Sequence, residues 1–318
     1  MNPTNPSGAM PVALSTMWAV QPRFERDLPA FMERAAELGY GAIEVNHSMD
    51  AQQIGAILAA GTLPVTAVHA PAPLERDAAR GWNRNLNLAS IDEGEREAAV
   101  RYTLRSVDAA TEAGASAVVV HLGAAGSRGG TADRRLRDAY NRGDSDSETR
   151  DALVADAHRE RAERAPEHLE QARRSLDALV GYGEPKGIAI GLECRLYFHE
   201  IPLPDEAADL LAPYPPHVAG YWHDVGHAEV LHRLGLVDLA AWFNLLGDRL
   251  IGTHLHDVAG VRDHRAPGNG DVDFAWLAKR IPPSAARTLE IDQREPDDAV
   301  GGAIGVLRAA GVIEHGRS

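Results

Sequence analysis

The feature that most restricts how this chain can fold is a series of short apolar runs, each ending in a histidine or a carboxylate. The runs are PVTAVHA ending at His69, ASAVVVHLG at His121, GIAIGLE at Glu193, VAGYWHDVGH at Asp224 and His227, LIGTHLHD at His254 and His256, and ARTLEID at Glu290. Each is rich in Val, Ile, Leu and Ala, and a stretch long enough for a helix separates it from the next. Continuous runs of this kind read as strands buried on both faces, as in a parallel sheet. Polar groups at the C-terminal ends of successive buried strands have few structural uses. In a β/α barrel, that end of the strands is where the active site is built.

Two earlier segments, PVALSTM (Pro11 to Met17) and GAIEVNH (Gly41 to His47), bring the count to eight strand–helix units. Helical patterns run from Phe24 to Leu38 with Gly39 as stop, from Asp50 to Ala60, and from Ser90 to Gly114. In the last of these, Glu93 stands three residues after Ser90, the spacing of a capping box. Further helices are expected near Glu167 to Leu179, Ala228 to Leu246 (one or two), Phe274 to Arg280 and the C-terminus. The long loop after His69 contains Asn and Pro and suits a barrel rim.

From Gly126 to about Arg164 the chain is dominated by Arg, Asp, Glu, Gly and Ser. That stretch reads as an insertion, either a partly helical excursion or a mobile lid. A doubly wound open sheet would gather its ligands at one switch point, and no Gly-rich phosphate fingerprint follows a strand here. The expected fold is therefore α/β, a single (β/α)8 TIM barrel with a charged segment inserted after strand 4. Residues 1–10 are expected to be a flexible leader and residues 11–318 one domain.

A chain of 318 residues accommodates a barrel of roughly 250 with room for insertions. The net charge of −14 argues against nucleic acid as the principal partner, because phosphate contacts need clustered Lys and Arg. The one cysteine, Cys194, cannot form an internal disulfide, so a reducing compartment is expected. No apolar stretch approaches the roughly 18 residues of a membrane span. The start, MNPTNPSGAM, lacks the features of a signal peptide. Together these readings predict a cytoplasmic protein without a membrane partner, and leave a homo-oligomer open.

A glutamate at the end of an apolar strand is costly to desolvate unless it meets a cation or hydrogen-bond donors. Glu193 and Glu290 both stand in that position. Taken singly, each also fits a buried ion pair with an arginine. Together with Asp224 and His254 they form a set of three carboxylates and one imidazole, a mix suited to Mn²⁺, Mg²⁺ or Co²⁺, with Zn²⁺ as a further candidate. In H-L-H-D, His254 and His256 share a face of one strand, so both point into the mouth if either does. Spacing does not say which one binds metal. His69 and His121 read as ligands, substrate contacts or satisfied strand-end histidines. His227 lies just beyond Asp224, whose ordinary alternative role is to cap the next helix. His264 and Arg265 lie on the loop after strand seven, and Arg195 and His199 just past Glu193. Trp18, Trp82 and Trp222 could wall a sugar pocket or serve the core and rim.

In the segments VHAPAP, NLAS-DE, VVVHLG, GLE, WHDVGHA, THLHDV, HRAPGNGDVDF and TLEID, the chain resembles the xylose isomerase-like barrels. That group includes sugar phosphate isomerases and epimerases and endonuclease IV, and the resemblance runs from about Val12 to Val312. It implies one divalent ion, Mn²⁺ first among the candidates, held by Glu193, Asp224, His254 and Glu290. His254 is preferred to His256 because it stands three residues before an acidic residue, Asp257. The resemblance makes Glu193 and Glu290 the catalytic pair and places substrate contacts at His227 and His264. His69, His121, His256 and Arg195 join them as expected substrate-binding residues.

The resemblance also implies a small sugar as substrate and an isomerase or epimerase reaction through an enediolate. A metal-dependent lyase or dehydratase, a DNA-repair nuclease and a non-catalytic sugar-binding barrel are the alternatives. Endonuclease IV holds three zinc ions and adds an Asp-x-His on the strand-seven loop. Here Asp263 and His264 are adjacent and Arg262 occupies the earlier position, so a third-metal ligand is expected to be missing.

Overall fold

The structure is a computed structural model that describes residues 10–126, 131–144 and 146–314. The leader expected at residues 1–10 therefore lies almost wholly outside the described residues. Eight parallel strands close into a barrel: β1 (Val12–Ser15), β2 (Ala42–Val45), β3 (Val65–His69), β4 (Ala117–Val120), β5 (Ala189–Glu193), β6 (Ala219–Asp224), β7 (Leu250–Leu255) and β8 (Ala286–Leu289). Each strand pairs with its sequence neighbours, and β8 closes the ring on β1, with Ala13 opposite Thr288.

Ten α-helices are present among the described residues: α1 (Leu28–Glu37), α2 (Ala51–Ala60), α3 (Glu93–Ala113), α4 (Ala132–Arg142), α5 (Ser147–Gly183), α6 (Pro204–Leu211), α7 (Val225–Arg233), α8 (Leu239–Leu246), α9 (Phe274–Ala278) and α10 (Asp297–Ala309). Helix α1 starts later than the hydrophobic pattern suggested. Asp27 caps it by accepting from the Ala30 amide, and Pro29 falls in the first turn, where its missing N–H costs nothing. The capping box expected at Ser90 is also corrected. Asp92 is the N-cap of α3, accepting from Glu95 N at 2.9 Å, while Ser90 Oγ bonds the Glu95 carboxylate at 2.6 Å.

Among its described residues the insertion is helical. Helix α4 and the first half of the 37-residue α5 make it up, so the helix expected near Glu167 is the continuation of one begun at Ser147. Pro166 lies inside α5. Ala132, Leu136, Ala157 and Phe198 form a second small core with Val230 and Leu231 of α7. Arg161 reaches Glu206 at 2.5 Å and Arg137 reaches Leu196 O at 2.6 Å. These contacts pack the insertion against the β5–β6 side of the barrel.

Inside the barrel, space is filled by one large ring. Trp222 is buried among Ala67, Ala117 and Val119, and the backbones of Gly191 and Gly252 lie against it. A Cβ at Gly252 would collide with the Trp222 ring. Gly252→Ala is accordingly expected to cost about 1–3 kcal/mol by overpacking, read as a lower midpoint in chemical denaturation at unchanged slope.

Candidate metal centre at the barrel mouth

Strand alternation puts every second residue on the inner face. One step above Ala42, Ala67, Gly191, Trp222 and Gly252 come Glu44, His69, Glu193, Asp224 and His254. His121 and Glu290 take the equivalent places just past β4 and β8. Glu44, His69, Glu193, Asp224, His254 and Glu290 are all 2% exposed or less, so their charges must be answered by one another or by a cation.

Three carboxylates converge on one ring nitrogen. His254 Nδ1 lies 2.9 Å from Glu193 Oε1, 3.3 Å from Glu290 Oε2 and 3.6 Å from Asp224 Oδ2. Glu193, Asp224 and Glu290 thus each approach His254, but the four-residue group whose donor atoms all lie within 4.8 Å of one another takes His69 in place of Asp224. Each carboxylate is held from a second side. Asn46 Nδ2 donates to Glu290 Oε1 at 3.0 Å, and His264 Nε2 lies 3.5 Å from Glu290 Oε2. Asp224 Oδ1 accepts from His227 N at 2.7 Å, capping α7, and faces His256 Nε2 at 2.9 Å. Glu193 Oε2 faces His121 Nε2 at 2.6 Å, His69 Nε2 at 3.3 Å and Arg195 Nη1 at 3.3 Å. Arg195 is shared, because its Nη2 lies 3.1 Å from Glu200 Oε1.

Burial alone would raise the Glu193 carboxyl, but His121 and His254 hold it well below the usual carboxylate range. At Glu290, burial is outweighed by His254 and His264, and at Asp224 by His227 and His256. Against its own burial, His254 is lifted well above the ordinary imidazole value by Glu44 and Glu290. All three carboxylates are therefore anionic at neutral pH, an arrangement matched to a dication.

The donor chemistry fits one. His69, Glu193, His254 and Glu290 each offer an atom within 4.8 Å of the others, and so do Glu193, Asp224 and His227. Two further groups, Asp224, His256 and His264, and His227, Asp263 and His264, meet the same distance. Mixed carboxylate and imidazole donors suit Mn²⁺, Co²⁺ or Zn²⁺.

The last group corrects an expectation. Adjacency of Asp263 and His264 does not take Asp263 away from the histidines: it lies 3.1 Å from His264 Nδ1 and 3.7 Å from His227 Nε2. His264 has φ +54°, the one positive φ at a non-glycine residue among those described. That turn interrupts the two-residue alternation of the strand Arg262–Arg265, so neighbouring side chains converge. Asp257 supports the loop, accepting from the amides of Gly268, Gly270 and Val272 at 2.9, 3.0 and 3.0 Å.

The remaining expected site residues divide. His256 is fully buried, its Nδ1 accepting from His264 N at 2.8 Å, which leaves Nε2 to donate to Asp224. It braces a carboxylate from behind. His121 retains 29% side-chain exposure and faces the mouth. His199 pairs with Asp133 at 3.1 Å instead of joining the cluster. Trp18 is a core residue against Phe24 and Phe31, and Trp222 sits beneath His254 with ring centroids 5.5 Å apart. Trp82 alone of the three is exposed, at 44%.

Sequence reasoning missed Glu44, Asn46 and His47. Glu44 bonds His254 Nε2 through both carboxylate oxygens, at 3.0 and 3.2 Å. Its signature, a carboxylate inside the apolar run GAIEV, is the one that singled out Glu193. His47 stands 5.1 Å from the His69 ring, and burial drives it down to about 3, keeping it neutral.

This closed parallel barrel, with its donors at the C-terminal mouth, has a family. The chain belongs to the xylose isomerase-like TIM barrel family, whose model matches residues 32–310. A comparison with curated protein sequences gives no match. Among solved structures, it is similar to a D-tagatose 3-epimerase-like protein (TM-score 0.65, 19% identity, 95% of this chain and 97% of that one). It is similar to 3-keto-D-glucoside 4-epimerase from E. coli (TM-score 0.58, 17% identity, 94% and 99%). A Thermus thermophilus protein from a crystal soaked with zinc chloride is also similar (TM-score 0.59, 22% identity, 94% and 97%). At these identities the likeness is one of fold.

Proposed function

We propose that the protein is a divalent-metal-dependent isomerase or epimerase of a sugar or keto-sugar. The observation that carries this reading is the convergence of Glu193, Glu290 and Asp224 on the single nitrogen His254 Nδ1. The epimerases among the similar structures support it.

A bound divalent cation supplies a Lewis acid for the sugar's carbonyl oxygen. Glu193, Asp224, His254 and Glu290 would hold it, with Mn²⁺ the first candidate. One of the two glutamates takes the proton from the carbon beside the carbonyl, giving the enediolate. A mouth-facing imidazole, or the other glutamate after taking a proton from such an imidazole or from solvent, returns a proton to the opposite face or the neighbouring carbon, and the first glutamate then gives its proton up to solvent. The carboxylates are suited to this because each keeps a second partner: Asn46 orients Glu290, while His69 and His121 orient Glu193. His227 and His264 stand next to the cluster, where substrate hydroxyls would meet imidazole donors.

The test is solvent exchange. Keto-sugars and 3-oxo-glycosides incubated with metal-loaded protein in deuterated water should take up deuterium beside the carbonyl, read by NMR. Chelation should abolish the uptake, and Mn²⁺ or Co²⁺ should restore it. A sugar-binding barrel without catalysis would exchange nothing. Loss of a β-substituent in place of isomerisation would turn the assignment to a lyase. A duplex carrying an abasic site serves as the control substrate, and the net charge of −14 predicts that it stays intact.

A further inference from the structure

The metal-competent donors come from β3 and from β5 to β8 with the segments that follow them, whereas the loops after β1, β2 and β3 enclose a separate cleft of about 410 Å³. Its walls include Glu25, Ser48, Met49, Arg76 and Trp82. That volume is in the range of small-molecule sites. Asn46 links the two: its Nδ2 donates to Glu290, and its Oδ1 accepts at 3.0 Å from the amide of Ser48 in the cleft wall.

Trp82 is presented on a braced support. It lies in a short hairpin, Arg76–Asp77 against Gly81–Trp82, in which Arg76 stands directly opposite Trp82. Side chains at opposed positions project to the same side of a hairpin. The next residue, Asn83, is buried and clamps the stem. Its N donates to Glu75 O at 2.9 Å, its Oδ1 accepts from Glu75 N at 3.1 Å, and its Nδ2 donates to Pro73 O at 2.9 Å. A large aromatic side chain, exposed at 44%, thus stands on a braced stretch of backbone at the edge of a cleft. Glu25 and Arg76 have no side-chain partner among the described residues.

An indole face suits the C–H face of a pyranose, and a free carboxylate, a guanidinium and the Ser48 hydroxyl suit its hydroxyls. We infer that this cleft is a subsite for a second sugar ring, so that the substrate is a glycoside or disaccharide. The inference rests on the sugar-isomerase reading, and it adds the substrate class.

Two measurements test it. The first compares kcat/KM for methyl 3-oxo-glucoside with the 3-oxo derivatives of maltose, cellobiose and trehalose. At least one two-ring substrate should be favoured by about 3–10-fold, the worth of one aromatic stacking contact. Trp82→Ala should remove that preference and leave the one-ring substrate unchanged, and Trp82→Phe should restore part of it. Equal loss on both substrates, or no two-ring preference in the parent protein, would overturn the subsite. The second measurement is quenching of tryptophan fluorescence by the unoxidised disaccharides. Quenching that disappears in Trp82→Ala, in a protein that turns over none of the substrates, supports the subsite and sinks the isomerase reading. Absence of both turnover and quenching sinks the two together.

Discussion

Glu193→Gln is expected to lower turnover by about 10³-fold or more at saturating metal, with the circular dichroism spectrum and cooperative unfolding retained. General acid–base catalysis by one positioned group contributes roughly 10²–10⁴-fold, and Glu193 would also be a ligand. The change is isosteric, so the barrel keeps its packing. What is lost is the anion. Oε2 now accepts from or faces His121, His69 and Arg195, while Oε1 faces His254. An amide turns its N–H groups either to Arg195, which cannot accept, or to the side of the ion, where they replace a ligand oxygen. Glu290→Gln is expected to act similarly, because its carboxylate lies between Asn46, His254 and His264. Full activity in either variant would remove the assignment of the pair.

Glu44→Ala is expected to weaken Co²⁺ or Mn²⁺ binding by about 10–100-fold, measured by calorimetry on the metal-free protein, with Glu44→Gln closer to the parent. Carboxylates that fix the far nitrogen of a ligating histidine have effects of that size. Glu44 bonds His254 Nε2 through both oxygens, which sets Nε2 as the protonated nitrogen and leaves Nδ1 for the three carboxylates or a cation. Without Glu44, the ring is free to take the other tautomer, which removes the donor lone pair. Unchanged affinity in Glu44→Ala would show that packing against Trp222 and His69 is enough to hold the ring.

The pH dependence follows from the same contacts. Burial opposes a charge on His254, but Glu44 and Glu290 lift its pKa above the ordinary value. A cation must therefore displace a proton there, so apparent affinity should rise with pH and level off once the imidazole is neutral. Affinity that falls across that window would contradict the assignment of His254 as a ligand.

Much of the architecture was legible because buried parallel strands carry their own sign in the sequence. Runs such as AVVV and AIGL need no partner to be recognised, and the residues closing them mark the mouth of the barrel. Element boundaries were less visible. Asp92 rather than Ser90 caps α3, because both spacings offer a side-chain acceptor and only the backbone path chooses. The insertion's charge pattern concealed a 37-residue helix, since its apolar face is narrow and is completed by Phe198 and α7. Glu44 was overlooked because its run continues through Asn46 and His47, which hides the strand end. Asp263 was misjudged for a conformational reason: a count of residues assumes extended backbone, and His264 departs from it.

The seam between β1 and β8 is clasped by side chains from the two ends of the described chain. Asp297 holds Arg23 at 2.5 Å and Arg34 at 2.7 Å, Tyr40 donates to Val300 O at 2.8 Å, and Trp18 donates to Glu295 O at 2.9 Å. Glu290 lies immediately beside this clasp. During synthesis, the earlier donors therefore leave the ribosome well before the last arrives, and the ring around the ion stays open until β8 docks. On the proposed reading, ion capture belongs to the end of folding, and a nascent chain halted before Glu290 holds only a partial claw.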